Sequence, residues 1–130
     1  MPIVRVEMYK GFNAEYQKKI LDGVHQALVD SFKIPDSDRN QLMYEFDDSH
    51  FERSSNRSRS FIVIEITAFK GRSREAKRML YQKIVENLKS SPGIEPGDVL
   101  ITMIEPELVN WGIHGGICAD ETNIGFNIRV

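Results

Sequence analysis

At 130 residues, 41% hydrophobic and 28% charged, the chain has the make-up of one globular domain large enough for a real core. A formal net charge of −2 excludes a global field suited to nucleic acid or an anionic membrane surface, and no apolar run approaches the ~20 residues of a membrane helix. The single cysteine, Cys118, cannot form an internal disulfide. With no secretory leader ahead of the first apolar run, a reducing cytoplasm is the expected setting.

The first predicted element begins almost at residue 1. Val4, Val6 and Met8 alternate with period two, the pattern of a half-buried strand. Pro2 stands immediately before it. Because Pro2 is small, Met1 is expected to be trimmed, which would leave a secondary amine at the head of the strand. A helix follows, with Asn13 placed to cap it and Ile20, Val24, Ala27 and Leu28 forming one apolar stripe. Pro35 lies just past its end, and "QLMYEF" (41–46) reads as the returning strand. The polar stretch "DDSHFERSSNRSRS" (47–60) is either a lid or a plain connection.

The same order then recurs. Ile62, Ile64, Ile66 and Ala68 form the next alternating strand, Ser73 caps a helix with Leu80, Ile84 and Leu88 inward, and "LITMIE" (100–105) returns. A shift of 60 residues lays one half on the other without a gap: Lys10-Gly11 on Lys70-Gly71, Leu28 on Leu88, Ile34 on Ile94, Asp38 on Asp98, Glu45 on Glu105. Two β-α-β units of this kind predict an α+β fold: a tandem repeat of about 2–46 and 61–106 making one four-stranded sheet with both helices on one face. The opposite face, expected to carry Ile3, Val63 and Phe69 beside Arg5 and Glu65, is a mixed surface of the sort another copy covers, so a closed homo-oligomer is expected. Residues 107–130, with Gly112, Gly115, Gly116 and Gly125 marking turns, are left as an oligomerisation tail within the same single domain.

The repeat supplies an internal control. Residues shared by both halves serve the scaffold first; residues that break the symmetry are candidates for chemistry. Pro2 matches an interior strand residue, Ile62, while Arg72 matches Phe12 and Arg74 matches Ala14. Two arginines at a helix start oppose the partial positive charge already there unless an anion is present. Together with Lys70 they suggest a cationic corner for a carboxylate, which arginine grips through two parallel hydrogen bonds. Asp38 has a plain alternative as a turn aspartate, since Asp98 occupies the matching place. The histidines His25, His50 and His114 and the lone thiol show no metal-ligand spacing.

Taken with the N-terminal proline, the stretches "MPIVRVEMYKG", "IPDSDRNQ" (34–41), "KGRSRE" (70–75), "YQKIVENL" (81–88) and "NWGIHGG" (110–116) resemble the tautomerase superfamily, and within it the malonate semialdehyde decarboxylase group. The resemblance implies a homotrimer with sites near subunit interfaces. It implies Pro2 as the catalytic amine, Asp38 as the catalytic aspartate and Arg72 as the second of two substrate-binding arginines. Lys70 stands where the first arginine is expected, and a lysine keeps the charge without the fork. Trp111 matches a tryptophan near the pocket wall, and Ile113 stands where an aromatic residue is expected. The implied activity is decarboxylation or hydration of a small oxo acid.

The residues support that chemistry on their own terms. A buried amine is easier to keep neutral, and a neutral proline nitrogen could move a proton beside a carbonyl, as in keto–enol tautomerisation. An ammonium held by Asp38 could instead polarise a 3-oxo acid for loss of carbon dioxide. Neither route needs a metal or an organic cofactor, and the cations dense between Arg53 and Lys83 would favour a small anionic substrate. Two other readings stay open: a non-catalytic oligomeric binding module on the same scaffold, and a ferredoxin-like sensor, which also uses two β-α-β halves.

Overall fold

The computed structural model describes residues 1–130. Strand β1 (Pro2–Tyr9), helix α1 (Ala14–Phe32) and strand β2 (Asn40–Phe46) form the first unit; β3 (Ile62–Ala68), α2 (Arg74–Ser90) and β4 (Val99–Ile104) form the second. The sheet order is β2-β1-β3-β4. Each outer strand runs parallel to its own partner, and the two units meet antiparallel along β1 and β3, with Pro2 opposite Ala68 and Val6 opposite Ile64. Because β1 pairs directly with β2, and β3 with β4, neither unit is split by an inserted strand. That removes the ferredoxin-like alternative.

Both helices lie on one face of the sheet. Val4, Val6 and Met8 of β1 and Ile62, Ile64 and Ile66 of β3 meet Ile20, Val24 and Leu28 of α1 and Leu80, Ile84 and Leu88 of α2 in one buried cluster. The caps fall where the sequence placed them: Tyr16 N–H donates to Asn13 Oδ1 at 2.9 Å and Ala76 N–H to Ser73 Oγ at 3.1 Å. The helices touch closely at Gly23, where an added Cβ would lie 3.1 Å from Leu88 Cδ2.

The other face has no cover within the chain. The register puts Leu42 beside Arg5, Tyr44 beside Glu7, Leu100 beside Val63 and Ile104 beside Thr67. Leu42, Tyr44, Leu100 and Ile104 are each more than 40% exposed. Phe69 does not join them. Strand β3 ends at Ala68, the chain turns, and Phe69 is buried with Ile113, Ala119 and Ile128 beneath the C-terminal segment.

That segment folds on its own chain. Strands β5 (Gly112–Ile113) and β6 (Ile117–Cys118) make a small hairpin. The chain end is fastened by Ser73 N–H donating to the Val130 carbonyl at 3.0 Å. Residues 47–60 form a packed connection: Phe51 stacks on Tyr9 at 4.5 Å, Arg59 donates twice to the Lys10 carbonyl, and Ser58 N–H donates to Asp98 Oδ1 at 2.8 Å. No helix is long and apolar enough to cross a membrane.

Candidate active site

The head of β1 is held from two sides. Pro2 is buried opposite Ala68 in the sheet. The Met1 amine reaches the loop before β2 and donates to Asp38 Oδ2. Asp38 is itself held: its N–H donates to the Pro35 carbonyl at 3.0 Å, and its Oδ1 accepts from Asn40 Nδ2 at 3.1 Å. Burial pushes the amine's pKa below the usual amino-terminal range; the hydrogen bond and charge of Asp38 push it back up, and the Arg72 cation lowers it again. A cavity of about 220 Å3 opens beside this pair, with Phe69, Ile113, Ile124 and Phe126 supplying an apolar wall.

Arg72 is the most informative side chain in the molecule. It is only 5% exposed. Its Nη1 donates to the Phe69 carbonyl at 3.1 Å, and its guanidinium carbon lies 4.8 Å from the centre of the Phe32 ring and 5.9 Å from that of Phe126. Its Nε and Nη2 have no partner. Burial lowers the guanidinium's pKa, while Glu105 and Asp38 raise it. A buried arginine with two unanswered donors is costly unless something completes it, and a carboxylate matches those donors in charge and spacing.

A second, more polar cavity of about 520 Å3 is lined by Arg72 itself together with Lys70, Lys77, Glu105, Glu107 and Arg129. Its charges are mixed, which corrects the expected cationic corner. Lys70 Nζ pairs with Glu107 at 2.7 Å, and Lys77 Nζ with Glu105 at 2.5 Å. Glu105 and Glu107 arrive because β4 ends at Ile104, alongside the start of α2. Lys70 therefore lines this cavity, paired with Glu107, and does not line the one beside the amine. Arg74 is exposed and borders a third groove with Arg78 and Tyr81 on α2, so it does not join Arg72. Trp111 supports the wall from behind: it packs on Phe69 at 4.6 Å and donates from Nε1 to the Pro106 carbonyl at 3.2 Å. Ile113 lines the small cavity directly.

His114 and Phe126 are not among the site residues that the sequence marks. Both line the small cavity. His114 sits at φ +51° in the β5–β6 turn, and its Nε2 lies 3.1 Å from the Asn123 carbonyl. Nothing in a lone histidine or a phenylalanine four residues from the chain end announces such a placement. The run "IHGG", a histidine forced into a tight turn by two glycines, is the one available signal.

An amine and a carboxylate on one largely apolar pocket, with an unanswered guanidinium against its Phe126 wall, can move a proton and anchor an anion at the same time. Sequence profiles described as tautomerase enzyme match residues 38–114 and residues 2–58. The chain belongs to the tautomerase family. The probable tautomerase YrdN of Bacillus subtilis (strain 168) is 29% identical over 121 residues, covering 89% of this chain and 93% of that protein. Among solved tautomerase folds, FG41 malonate semialdehyde decarboxylase inhibited by 3-bromopropiolate is 28% identical at a TM-score of 0.82, covering 94% of this chain and 98% of the other. A fused 4-OT asymmetric trimer shares the fold at a TM-score of 0.82 and 20% identity, covering 92% of this chain and 97% of that one.

Proposed function

We propose that this tautomerase-family chain is a cofactor-independent enzyme of small oxo acids that works through the Pro2 nitrogen after Met1 is removed, with decarboxylation of a 3-oxo acid such as malonate semialdehyde as its main reaction. The observation that carries the reading is the terminal amine set on Asp38, with the unpartnered donors of Arg72 close enough to act on both charges. Removal of Met1 vacates part of the small cavity and sets the new amine one residue further in.

In this reading Arg72 grips the substrate carboxylate. The Pro2 ammonium, kept charged by Asp38, donates a hydrogen bond to the 3-oxo oxygen. The bond between the carboxyl carbon and C2 breaks, its electron pair passes into the enolate of the remaining aldehyde, whose oxygen the Pro2 ammonium holds, and carbon dioxide leaves. The enolate then takes a proton from water at C2 and becomes the neutral aldehyde. Asp38 is also placed to position water, which would give hydration of the aldehyde instead. The similarity to malonate semialdehyde decarboxylase supports this choice.

A second reading rests on a separate observation. Burial is the largest influence on the terminal amine and favours its neutral form. A neutral Pro2 nitrogen would serve as a base for keto–enol tautomerisation of a 2-oxo acid, in line with the curated relative. Carbon dioxide release from malonate semialdehyde, measured beside enol-to-keto conversion of a 2-oxo acid, separates the two. The proposal expects the first to dominate and to fall ~100-fold or more in Asp38→Asn, the scale of a lost acid–base group. Ketonisation alone, insensitive to Asp38, would overturn it.

The open apolar face of the sheet and the trimeric neighbour support a homotrimer, and the free thiol of Cys118 suits a reducing compartment such as the cytoplasm.

A further inference from the structure

One buried polar group has no part in the chemistry above. His25 lies in the middle of α1, on its inward face, only 3% exposed. Its Nε2 is 2.9 Å from the Asp36 carbonyl and 3.2 Å from Asp36 Oδ1. A carbonyl oxygen can only accept, so Nε2 carries the proton and donates. The acceptor lies in the short loop between α1 and β2, two residues before Asp38. In the same loop the Asp38 N–H is tied to the Pro35 carbonyl. The path from helix to amine is therefore short: His25 holds Asp36, the turn holds Asp38, and Asp38 holds the terminal nitrogen.

The repeat says that this is not generic scaffold. The residue 60 places on from His25 is Val85, a half-buried apolar residue of α2. The second loop carries Asp98, whose carboxylate is held by the Ser58 N–H and hydroxyl and faces no amine. The second helix reaches its loop only at the exposed surface, where Lys89 Nζ pairs with Glu95; a buried polar tether from the helix exists only in the half whose aspartate meets the chain terminus. A valine is evidently enough to pack the matching helix position, so packing alone does not call for histidine.

We propose that His25 is a positioning residue: its Nε2–H pins the Asp36 carbonyl and so fixes the loop that aims Asp38 at the Pro2 nitrogen. The role rests on the reading of Asp38 given above. His25 does not touch the substrate; it acts through Asp38. Loosening it should cost turnover and leave carboxylate binding, the task of Arg72, nearly intact.

The test uses the full-length, Met1-trimmed protein and three readouts. In the wild type, 15N NMR of the imidazole should report the Nε2–H tautomer with a proton protected from exchange. A freely exchanging proton, or the Nδ1–H form, would overturn the proposal without any variant. In His25→Val, backbone amide exchange at residues 36–39 should rise while the centre of α1 stays protected. Unchanged loop exchange would contradict the pin, and this readout needs no substrate, so it stands whether or not the decarboxylase reading holds. With malonate semialdehyde, His25→Val should lose ~10- to 100-fold in kcat, the scale of a displaced catalytic group, with KM little changed. His25→Gln, which keeps a donor at similar reach, should recover most of that loss. A rise in KM at constant kcat, or no recovery with glutamine, would overturn the positioning role.

Discussion

Arg72 shows how the proposed site is written against stability. Each donor left unpaired in a buried position costs ~1–3 kcal/mol, and Arg72 leaves two. Replacing it with an apolar residue of similar length should relieve that cost and remove the anion grip. Arg72→Met is thus expected to leave the melting temperature unchanged or raised, while KM for the oxo acid rises at least ~10-fold, a loss of ~1.4 kcal/mol in binding. Thermal melts beside steady-state kinetics check both arms; a sharp fall in melting temperature would mean that the guanidinium is structural. The terminal amine gives a second prediction whose sign is fixed by its surroundings. Asp38 raises its pKa, whereas burial and Arg72 lower it, so Asp38→Asn removes only upward influences and should move the amine's midpoint to lower pH in an NMR titration. Because the folded amine binds its proton less readily than the unfolded one, its contribution to stability is full above the usual amino-terminal pKa and is lost as pH falls through the folded value.

The elements were legible because their signals are local. Period-two alternation in Val4, Val6, Met8 and Ile62, Ile64, Ile66 gave both central strands, and the asparagine and serine caps gave the starts of both helices. Each cap carries ~1 kcal/mol, so Ser73→Ala should lower stability by about that amount, as read by denaturant unfolding. The C-terminal segment was not legible beyond its glycine turns. Its place is set by long-range contacts, such as Ile128 against Gly71 and Val130 on the Ser73 N–H, and such contacts leave no periodic trace. The same contacts explain why Phe69, which looks like a sheet-face residue, is covered. Gly71 has φ +146°, and an added Cβ would stand 3.2 Å from the Ile128 carbonyl. Gly71→Ala is therefore expected to destabilise the fold and to speed proteolysis of the tail; an intact, protected tail would show that this approach is not close in solution.

At the scale of the molecule, the site combines a terminus, a loop of the first unit and a strand end of the second. Pro2 and Arg72 could be singled out in the sequence because they break the repeat; Asp38, matched by Asp98, is marked only by the family resemblance. The pairing of Lys70 with Glu107 also follows the repeat, since Lys10 pairs with Asp47 at the matching places of the first unit. The exposed row of Leu42, Tyr44, Leu100 and Ile104 belongs to this scale too. Leu42→Glu combined with Ile104→Glu should convert the proposed trimer to a smaller species in light scattering, and unchanged mass would remove that face from the assembly. The measurement that bears most directly on the whole account is the turnover of mass-verified, Met1-free protein against Pro2→Ala of equal melting temperature, with malonate semialdehyde as substrate. The account predicts a loss of ~100-fold or more, because the secondary amine itself acts on the oxo acid; undiminished turnover in Pro2→Ala would contradict it.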